Sequence, residues 1–148
     1  MKGSHRIIVE SRKVKYDFTV KRNITILTGD SGSGKTVLME LIRDYRRYGA
    51  DSGVQVSCDC ECRTIENEDW ERTIQEASPC IFFIDEGNRF LYTKNFARAV
   101  QQSEHYFVIA TREKLPMLPY SMNEIYGFRK SGKFHEAKQT YNLSLIHI

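Results

Sequence analysis

The sequence predicts an α/β fold, a three-layer sandwich in which helices cover both faces of a mostly parallel central sheet, with a β-hairpin at the amino-terminal end. Two observations support this prediction. Short apolar runs of strand length alternate with segments of helical periodicity, and the most apolar of the runs are continuous, as in parallel strands that are buried on both faces. The chain has 148 residues, which is the size of one domain.

The elements follow from local patterns, in order along the chain. Two β-rich runs at 6–10 and 15–20 flank three polar residues and predict a hairpin. An apolar run at 23–28 stops at a glycine and predicts a buried strand, and the next segment has one apolar face and predicts a helix that ends near Gly49. The remaining predictions are strands at 54–58, 80–84, 106–110 and 124–128, helices at 67–77 and 96–102, and a turn at 130–133.

These elements predict a single domain over 1–142, made of an amino-terminal hairpin (1–22), a core (23–128) and a carboxyl-terminal hairpin (129–142). The last six residues, 143–148, match the in-frame translation of a transposon end used in sequencing libraries. We interpret them as a non-native tail and exclude them from the prediction of the fold. The alternative is a short native strand, since Leu143, Leu145 and Ile148 favour strands.

Composition excludes several classes of protein. Apolar residues make up 41% of the chain and charged residues 28%, which is typical of a soluble globular protein. No apolar run approaches the ~20 residues of a membrane span, and the first residues lack the apolar region of a signal peptide. We therefore expect a cytoplasmic protein without a membrane span. A net charge of +3 does not by itself indicate a nucleic-acid partner.

The four cysteines leave two interpretations open. Cys58, Cys60 and Cys62 lie two positions apart, which is poor geometry for disulfides among them. They are either reduced thiols, as expected in the cytoplasm, or ligands of a metal together with Cys80. Their C-x-C-x-C spacing lacks the paired C-x-x-C knuckles of structural zinc sites, which favours reduced thiols.

The most specific motif lies between the run at 23–28 and the helix that follows it. It matches G-x-x-x-x-G-K-[ST], the Walker A pattern of a phosphate-binding loop. Glycines allow the backbone N–H groups to point at a phosphate, and the helix amino end adds partial positive charge. Lys35 is expected to reach the β- and γ-phosphates and Thr36 to ligate Mg²⁺. The predicted site for ATP or a related nucleotide comprises Gly29, Asp30, Ser31, Gly32, Ser33, Gly34, Lys35 and Thr36.

Two acidic residues follow the apolar run at 81–84. Asp85 is in the setting of a carboxylate that helps to hold nucleotide-bound Mg²⁺, as in a Walker B segment. Glu86 is then placed to accept a proton from the water that attacks the γ-phosphate, or to orient that water. The alternative is that both residues only solvate the end of a strand.

Together, the phosphate loop, the Asp85-Glu86 pair and a later strand that ends at Thr111 resemble the P-loop ATPases with an additional strand and a catalytic glutamate. That group holds the AAA, RecA-like and ABC-type ATPases, and the resemblance covers 24–111. It implies a P-loop NTPase fold, and it implies that Thr111, at the end of a strand between the Walker A and Walker B strands, senses the γ-phosphate. The alternative for Thr111 is a strand terminator.

The chain departs from these families in two respects. It has no L-S-G-G-Q-like signature of an ABC transporter subunit and no helical lid of a full AAA module. It looks like a minimal ATPase, similar to short ATP-binding proteins of bacterial and phage mobile elements. Arg112 is a candidate to contact the γ-phosphate or to act as an arginine finger, with a surface arginine as the alternative.

Two further features have both a functional and a structural interpretation. Tyr16 and Phe18 either stack on adenine, as in ABC-type ATPases, or pack in the core. Basic residues around 12–15 and 129–133 either contact nucleic acid or serve solubility. The sequence is also compatible with a homo-oligomer or a protein partner.

Three functions are compatible with the sequence. The leading one is a Mg-dependent ATPase whose hydrolysis drives a conformational or assembly step. The second is a kinase of nucleotides or small molecules, because the loop also resembles kinase phosphate loops. The third is a nucleotide-dependent binding module that hydrolyses little.

Overall fold

A computed structural model of the chain describes residues 1–30, 32–66, 68–141 and 144–146. Within them the strands are β1 (His5–Glu10), β2 (Lys15–Val20), β3 (Ile24–Thr28), β4 (Gln55–Ser57), β5 (Cys62–Thr64), β6 (Ile81–Ile84), β7 (Tyr106–Ala110), β8 (Ile125–Ser131) and β9 (Phe134–Gln139). The α-helices of the same residues are α1 (Lys35–Tyr48), α2 (Trp70–Glu76) and α3 (Lys94–Gln102). None of the helices that the structure describes is long and apolar enough to cross a bilayer.

The strands form one sheet in the order β4-β1-β2-β9-β8-β3-β7-β6-β5. The pairs β8–β3, β3–β7, β7–β6 and β6–β5 are parallel, and β2 is also parallel to β9. The pairs β1–β2, β1–β4 and β8–β9 are antiparallel. The sheet is therefore mixed, and it curls into a half-barrel.

The predicted three-layer P-loop sandwich with a mostly parallel sheet is wrong. More of the described residues lie in strands than in the three short helices, and the sheet is mixed and curled rather than open and parallel. The physical reason lies in the two hairpins that were expected to stand beside the core. They join the core sheet, because β8 pairs with β3 and Lys15 of β2 pairs with Phe134 of β9. Pairing between segments so distant in the chain leaves no periodic signal in either segment.

Individual elements were predicted better than their assembly. The hairpin strands are confirmed as β1 and β2, and the buried strands as β3, β6 and β7. The helix α1 ends where expected, at Gly49, whose φ is 59° and whose N–H donates to the Tyr45 carbonyl. The helix predicted at 67–77 is shorter, since α2 begins at Trp70, and Asn67 lies outside the described residues. The three-residue strand β5 was not predicted, because it is too short for a pattern.

The core consists of two clusters on opposite faces of the sheet. In the first, called the α1 core, Leu38 and Ile42 of α1 pack with apolar residues of β1, β2 and the central strands, including Phe83. In the second, called the α3 core, Phe96 of α3 packs with Phe82 and other central-strand residues. Because the sheet curls around α1, strands from both halves of the sheet contact this helix. This places the start of α1 between β3 and the two hairpins.

Part of the segment interpreted as a non-native tail is described. Leu145 and Ile146 are buried in the α3 core, and the Leu145 carbonyl accepts a hydrogen bond of 2.5 Å from the Tyr120 hydroxyl. Asn142, Leu143, His147 and Ile148 lie outside the described residues.

Candidate nucleotide-binding site

The phosphate loop joins the fully buried strand β3 to the start of α1. Its glycines have positive φ angles, 142° at Gly29, 89° at Gly32 and 103° at Gly34. Residues other than glycine rarely adopt such angles. The Ser33 N–H donates to the Asp30 carbonyl at 3.0 Å and closes a turn within the loop. Ser31, also predicted to bind nucleotide, lies outside the described residues. The loop thus has the strand-before, helix-after setting that the sequence predicts.

Lys35 is the first residue of α1 and is only 4% exposed. Its ammonium donates a hydrogen bond to the Gly29 carbonyl and lies 4.0 Å from Glu86 Oε1. A buried ammonium needs such partners, because its desolvation is otherwise costly. The side chain therefore folds back over the loop instead of extending into solvent.

Glu86 lies between two cationic side chains. In addition to the contact with Lys35, its Oε1 lies 3.6 Å from Arg112 Nε, and its Oε2 accepts a hydrogen bond of 3.2 Å from the Arg112 N–H. These three predicted residues come from the start of α1, the end of β6 and the end of β7. The structure brings them together at one edge of the sheet.

Asp85 lies beside this group, half-buried at the end of β6. One carboxylate oxygen accepts a hydrogen bond of 2.9 Å from the Glu86 N–H. Burial raises the pKa of Asp85 above its ordinary value, while the Glu86 N–H and the positive charge of Lys35 act in the opposite direction. A bound cation would relieve the cost of burying the Asp85 carboxylate.

Thr111 is buried at the end of β7, and β7 lies between β3 and β6. Its hydroxyl donates to the Glu113 carbonyl and accepts from the Glu113 N–H, both at 3.0 Å. Both hydrogen bonds close the turn that follows the strand. The contacts of Thr111 are thus those of a strand terminator, the structural alternative to a γ-phosphate sensor.

A cleft of about 240 Å³ opens at the loop. It is lined by loop residues up to Val37, by Glu86 and Arg112, and by residues of the two hairpins. A larger cleft of about 470 Å³ lies between α2 and α3, but none of the phosphate-loop residues lines it. The smaller cleft is the candidate site, because the charged residues converge there.

Sequence reasoning missed the contribution of the hairpins to this cleft. The Tyr16 hydroxyl of β2 donates to the Gly34 carbonyl at 2.8 Å, and the Tyr16 ring stacks on His135 of β9 at 4.6 Å. Lys130 of β8 donates to the Gly32 carbonyl. The basic turn around Lys130 was visible in the sequence, but no pattern marked His135.

Tyr16 is fully buried, so its ring packs in the α1 core and does not offer a face for adenine. Burial and the charge of Glu40 raise its pKa to about 12. Phe18 is also buried in this core, at 6.5 Å between its ring centre and that of Phe83. For both aromatic residues the packing interpretation is therefore the one that the structure supports.

The second basic turn uses its lysines within the chain. Lys133 forms an ion pair of 3.2 Å with Glu10, and Lys130 is bound to the loop. These contacts are reason enough for the turn to be basic without a nucleic-acid partner.

The residues at the loop fit a triphosphate and Mg²⁺. A Cβ at Gly34 would lie 3.0 Å from the Tyr16 hydroxyl and 3.0 Å from His135, so only glycine allows these side chains to pack against the loop. The Ser33 hydroxyl is buried without a hydrogen-bond partner among the described residues. The hydroxyl of Thr36, in the first turn of α1, and the carboxylate of Asp85 are the hard oxygen ligands that Mg²⁺ prefers.

No protein-family model matches the chain, and no curated protein or solved structure is measurably similar to it.

Proposed function

We propose that the chain binds Mg-ATP, or a related nucleoside triphosphate, at residues 29–36 and hydrolyses it to drive a conformational or assembly step. The observation that supports this proposal is the convergence of Lys35, Glu86 and Arg112 on one cleft at the amino-terminal end of α1. The proposal includes membership of the minimal P-loop ATPases, a cytoplasmic location and action on a protein partner or a second copy of the chain.

Binding would begin with the phosphates. The first turn of α1 has free N–H groups and partial positive charge, which favour an anion. Lys35 would exchange the Gly29 carbonyl for phosphate oxygens, and this exchange moves its ammonium only within the loop. A cleft of about 240 Å³ is smaller than the ~300–1,000 Å³ of typical ligand pockets. It therefore suits the phosphates, with the sugar and the base lying outside it.

Thr36 and, indirectly, Asp85 would hold Mg²⁺, which supplies neutralisation of the phosphate charge. Glu86 would accept a proton from water as the water oxygen bonds to the γ-phosphorus and the bond to the bridging oxygen breaks, leaving ADP and phosphate. Glu86 first has to separate from the Arg112 side chain, 3.6 Å away. Arg112, once free, can stabilise the negative charge of the transferring group.

A second candidate function is a nucleotide-dependent binding module with little hydrolysis. The observation that favours it is the double pairing of Glu86 with Lys35 and Arg112, because both cations contact the carboxylate oxygen that would otherwise meet the attacking water. In that case the nucleotide-bound state, rather than turnover, would control the partner.

Phosphate release tests the ATPase. We expect wild-type protein to release free phosphate from Mg-ATP, and Glu86→Gln to reduce the turnover by about 10²- to 10⁴-fold with nucleotide binding retained. The matched control is Glu71→Gln, on the exposed side of α2, which is expected to keep wild-type turnover. Undiminished turnover in Glu86→Gln would overturn the assignment of the base. Nucleotide binding without turnover in wild-type protein would favour the binding module, and phosphate transfer to nucleosides or sugars would identify a kinase.

A further inference from the structure

A second group of metal-ligating side chains lies away from the phosphate loop, where the first residue of β1 meets the turn between β4 and β5. His5 Nδ1 lies 2.7 Å from Asp59 Oδ1, and one ligand atom each from His5, Asp59 and Cys60 lies within 4.8 Å of the others. Cys58 Sγ adjoins the group, 3.8 Å from Cys60 Sγ and 3.7 Å from Asp59 Oδ1. An imidazole, a carboxylate and one thiol thus face one another, with a second thiol beside the carboxylate and the first thiol.

The spacing of the two thiols matches a tetrahedral zinc centre. Zinc binds thiolate at about 2.3 Å and imidazole at about 2.0–2.1 Å, so two sulfur atoms on one tetrahedral ion lie about 3.8 Å apart. The two sulfur atoms of Cys58 and Cys60 have this separation without any ion to draw them together. The thiol pair therefore needs little rearrangement to bind zinc, whereas His5 Nδ1 and Asp59 Oδ1, now 2.7 Å apart, would separate to about 3.3 Å on a tetrahedral ion.

The imidazole is held in place by packing. His5 is 9% exposed, and its ring makes an edge contact with the ring of Tyr106, with 5.1 Å between the centres. Its Nε2 is buried and has no hydrogen-bond partner among the described residues. A histidine so fixed, with Nδ1 facing Asp59, offers a pre-oriented nitrogen to a metal ion.

The group is accessible from solvent. Cys58, Cys60 and Cys62 line an open cleft of about 390 Å³, and the Asp59 side chain is 65% exposed. Cys80, considered as a fourth thiol ligand from the sequence, lies in the α3 core on the opposite face of the sheet. The partner of the C-x-C segment is instead His5, 54 positions before Asp59 in the chain.

We propose that His5, Cys58, Asp59 and Cys60 form a structural Zn²⁺ site that ties the amino-terminal end of β1 to the β4–β5 turn. The site is independent of the nucleotide cleft, so either proposal can fail without the other. Soft thiolates with imidazole favour zinc over the hard cation Mg²⁺. The turn supplies three of these ligands, and the fourth, His5, comes from β1 rather than from a second C-x-x-C knuckle.

Cobalt(II) is a suitable probe, because tetrahedral thiolate coordination gives it a charge-transfer absorption and strong visible bands. We expect the reduced, chelator-treated full chain to bind one equivalent of Co²⁺ with this spectrum and Zn²⁺ to displace it. Cys60→Ser and Asp59→Asn are expected to weaken binding at least about tenfold. The matched control Cys80→Ser removes a thiol from the other core and should leave the spectrum unchanged.

Asp59→Asn is the variant that is expected to fold normally, since this side chain is mostly exposed. Circular dichroism checks that each variant is folded. Loss of the thiolate band in Cys60→Ser with retention in Cys80→Ser supports the site. Cobalt uptake without a thiolate band, or equal affinity in all variants, would overturn it. The proposal would also be overturned if the reduced protein takes up no metal and its Cys58 and Cys60 instead form a disulfide on exposure to air.

Discussion

Gly34→Ala is the substitution that most directly tests how the hairpins meet the phosphate loop. Gly34 is buried, with φ at 103°, and a Cβ there would lie 3.0 Å from both the Tyr16 hydroxyl and His135. Alanine in a left-handed conformation costs about 1–2 kcal/mol, and overpacking costs about 1–3 kcal/mol more. We therefore expect a loss of about 2–5 kcal/mol in the free energy of unfolding.

Gly53→Ala is the matched control. Gly53 also has a positive φ, 74°, but a Cβ there meets nothing within 4 Å, so only the backbone cost of about 1–2 kcal/mol applies. Urea unfolding of both variants, with linear extrapolation to water, measures the two losses. The excess in Gly34→Ala is the cost of the contacts with Tyr16 and His135. If Gly34→Ala destabilises the chain no more than Gly53→Ala does, the reasoning about this close approach is refuted.

Two other substitutions probe groups around the loop. Tyr16→Phe removes the buried hydrogen bond of 2.8 Å to the Gly34 carbonyl and is expected to lower the free energy of unfolding by about 1 kcal/mol. The control Tyr48→Phe, at a residue that is 56% exposed, should leave the free energy of unfolding unchanged. Equal losses of the two variants in urea unfolding would contradict this assignment. Asp85→Asn should raise the melting temperature of nucleotide-free protein at neutral pH. Because burial raises the pKa of Asp85, the folded state binds its proton more tightly than the unfolded state. The loss of stability caused by the buried, ionised carboxylate therefore develops as pH rises through the raised pKa. The gain in Asp85→Asn should therefore shrink as pH falls towards the ordinary aspartate pKa, and a melting temperature below that of wild type at neutral pH would show that burial does not dominate.

The backbone of the loop at 29–34 could be predicted because it requires glycine at particular positions. Glycine is needed where the backbone has a positive φ, as at Gly32 and Gly34. The buried strands β3, β6 and β7 were also predictable, since continuous apolar runs of four or five residues are typical of strands covered on both faces.

The curl of the sheet could not be predicted in this way. It depends on how β1, β2 and the central strands pack around α1, and on the pairing of Lys15 with Phe134. The same long-range pairing brings Tyr16 and His135 to the loop, so the contact of Tyr16 with Gly34 and the position of His135 were missed for the same reason. His5 was missed too, because nothing near it in the sequence indicates the cysteines that it faces.

Calorimetric titration with Mg-ATP tests the central claim most directly, with Mg-AMP as the ligand control. We expect about one equivalent of Mg-ATP to bind wild-type protein much more tightly than Mg-AMP, because the loop and Lys35 contact the β- and γ-phosphates. Lys35→Met should abolish this difference, whereas Lys21→Met, at an exposed lysine before β3, should preserve it. Equal affinity of Lys35→Met and wild type for Mg-ATP, or no heat of binding in a folded wild-type sample, would contradict the account.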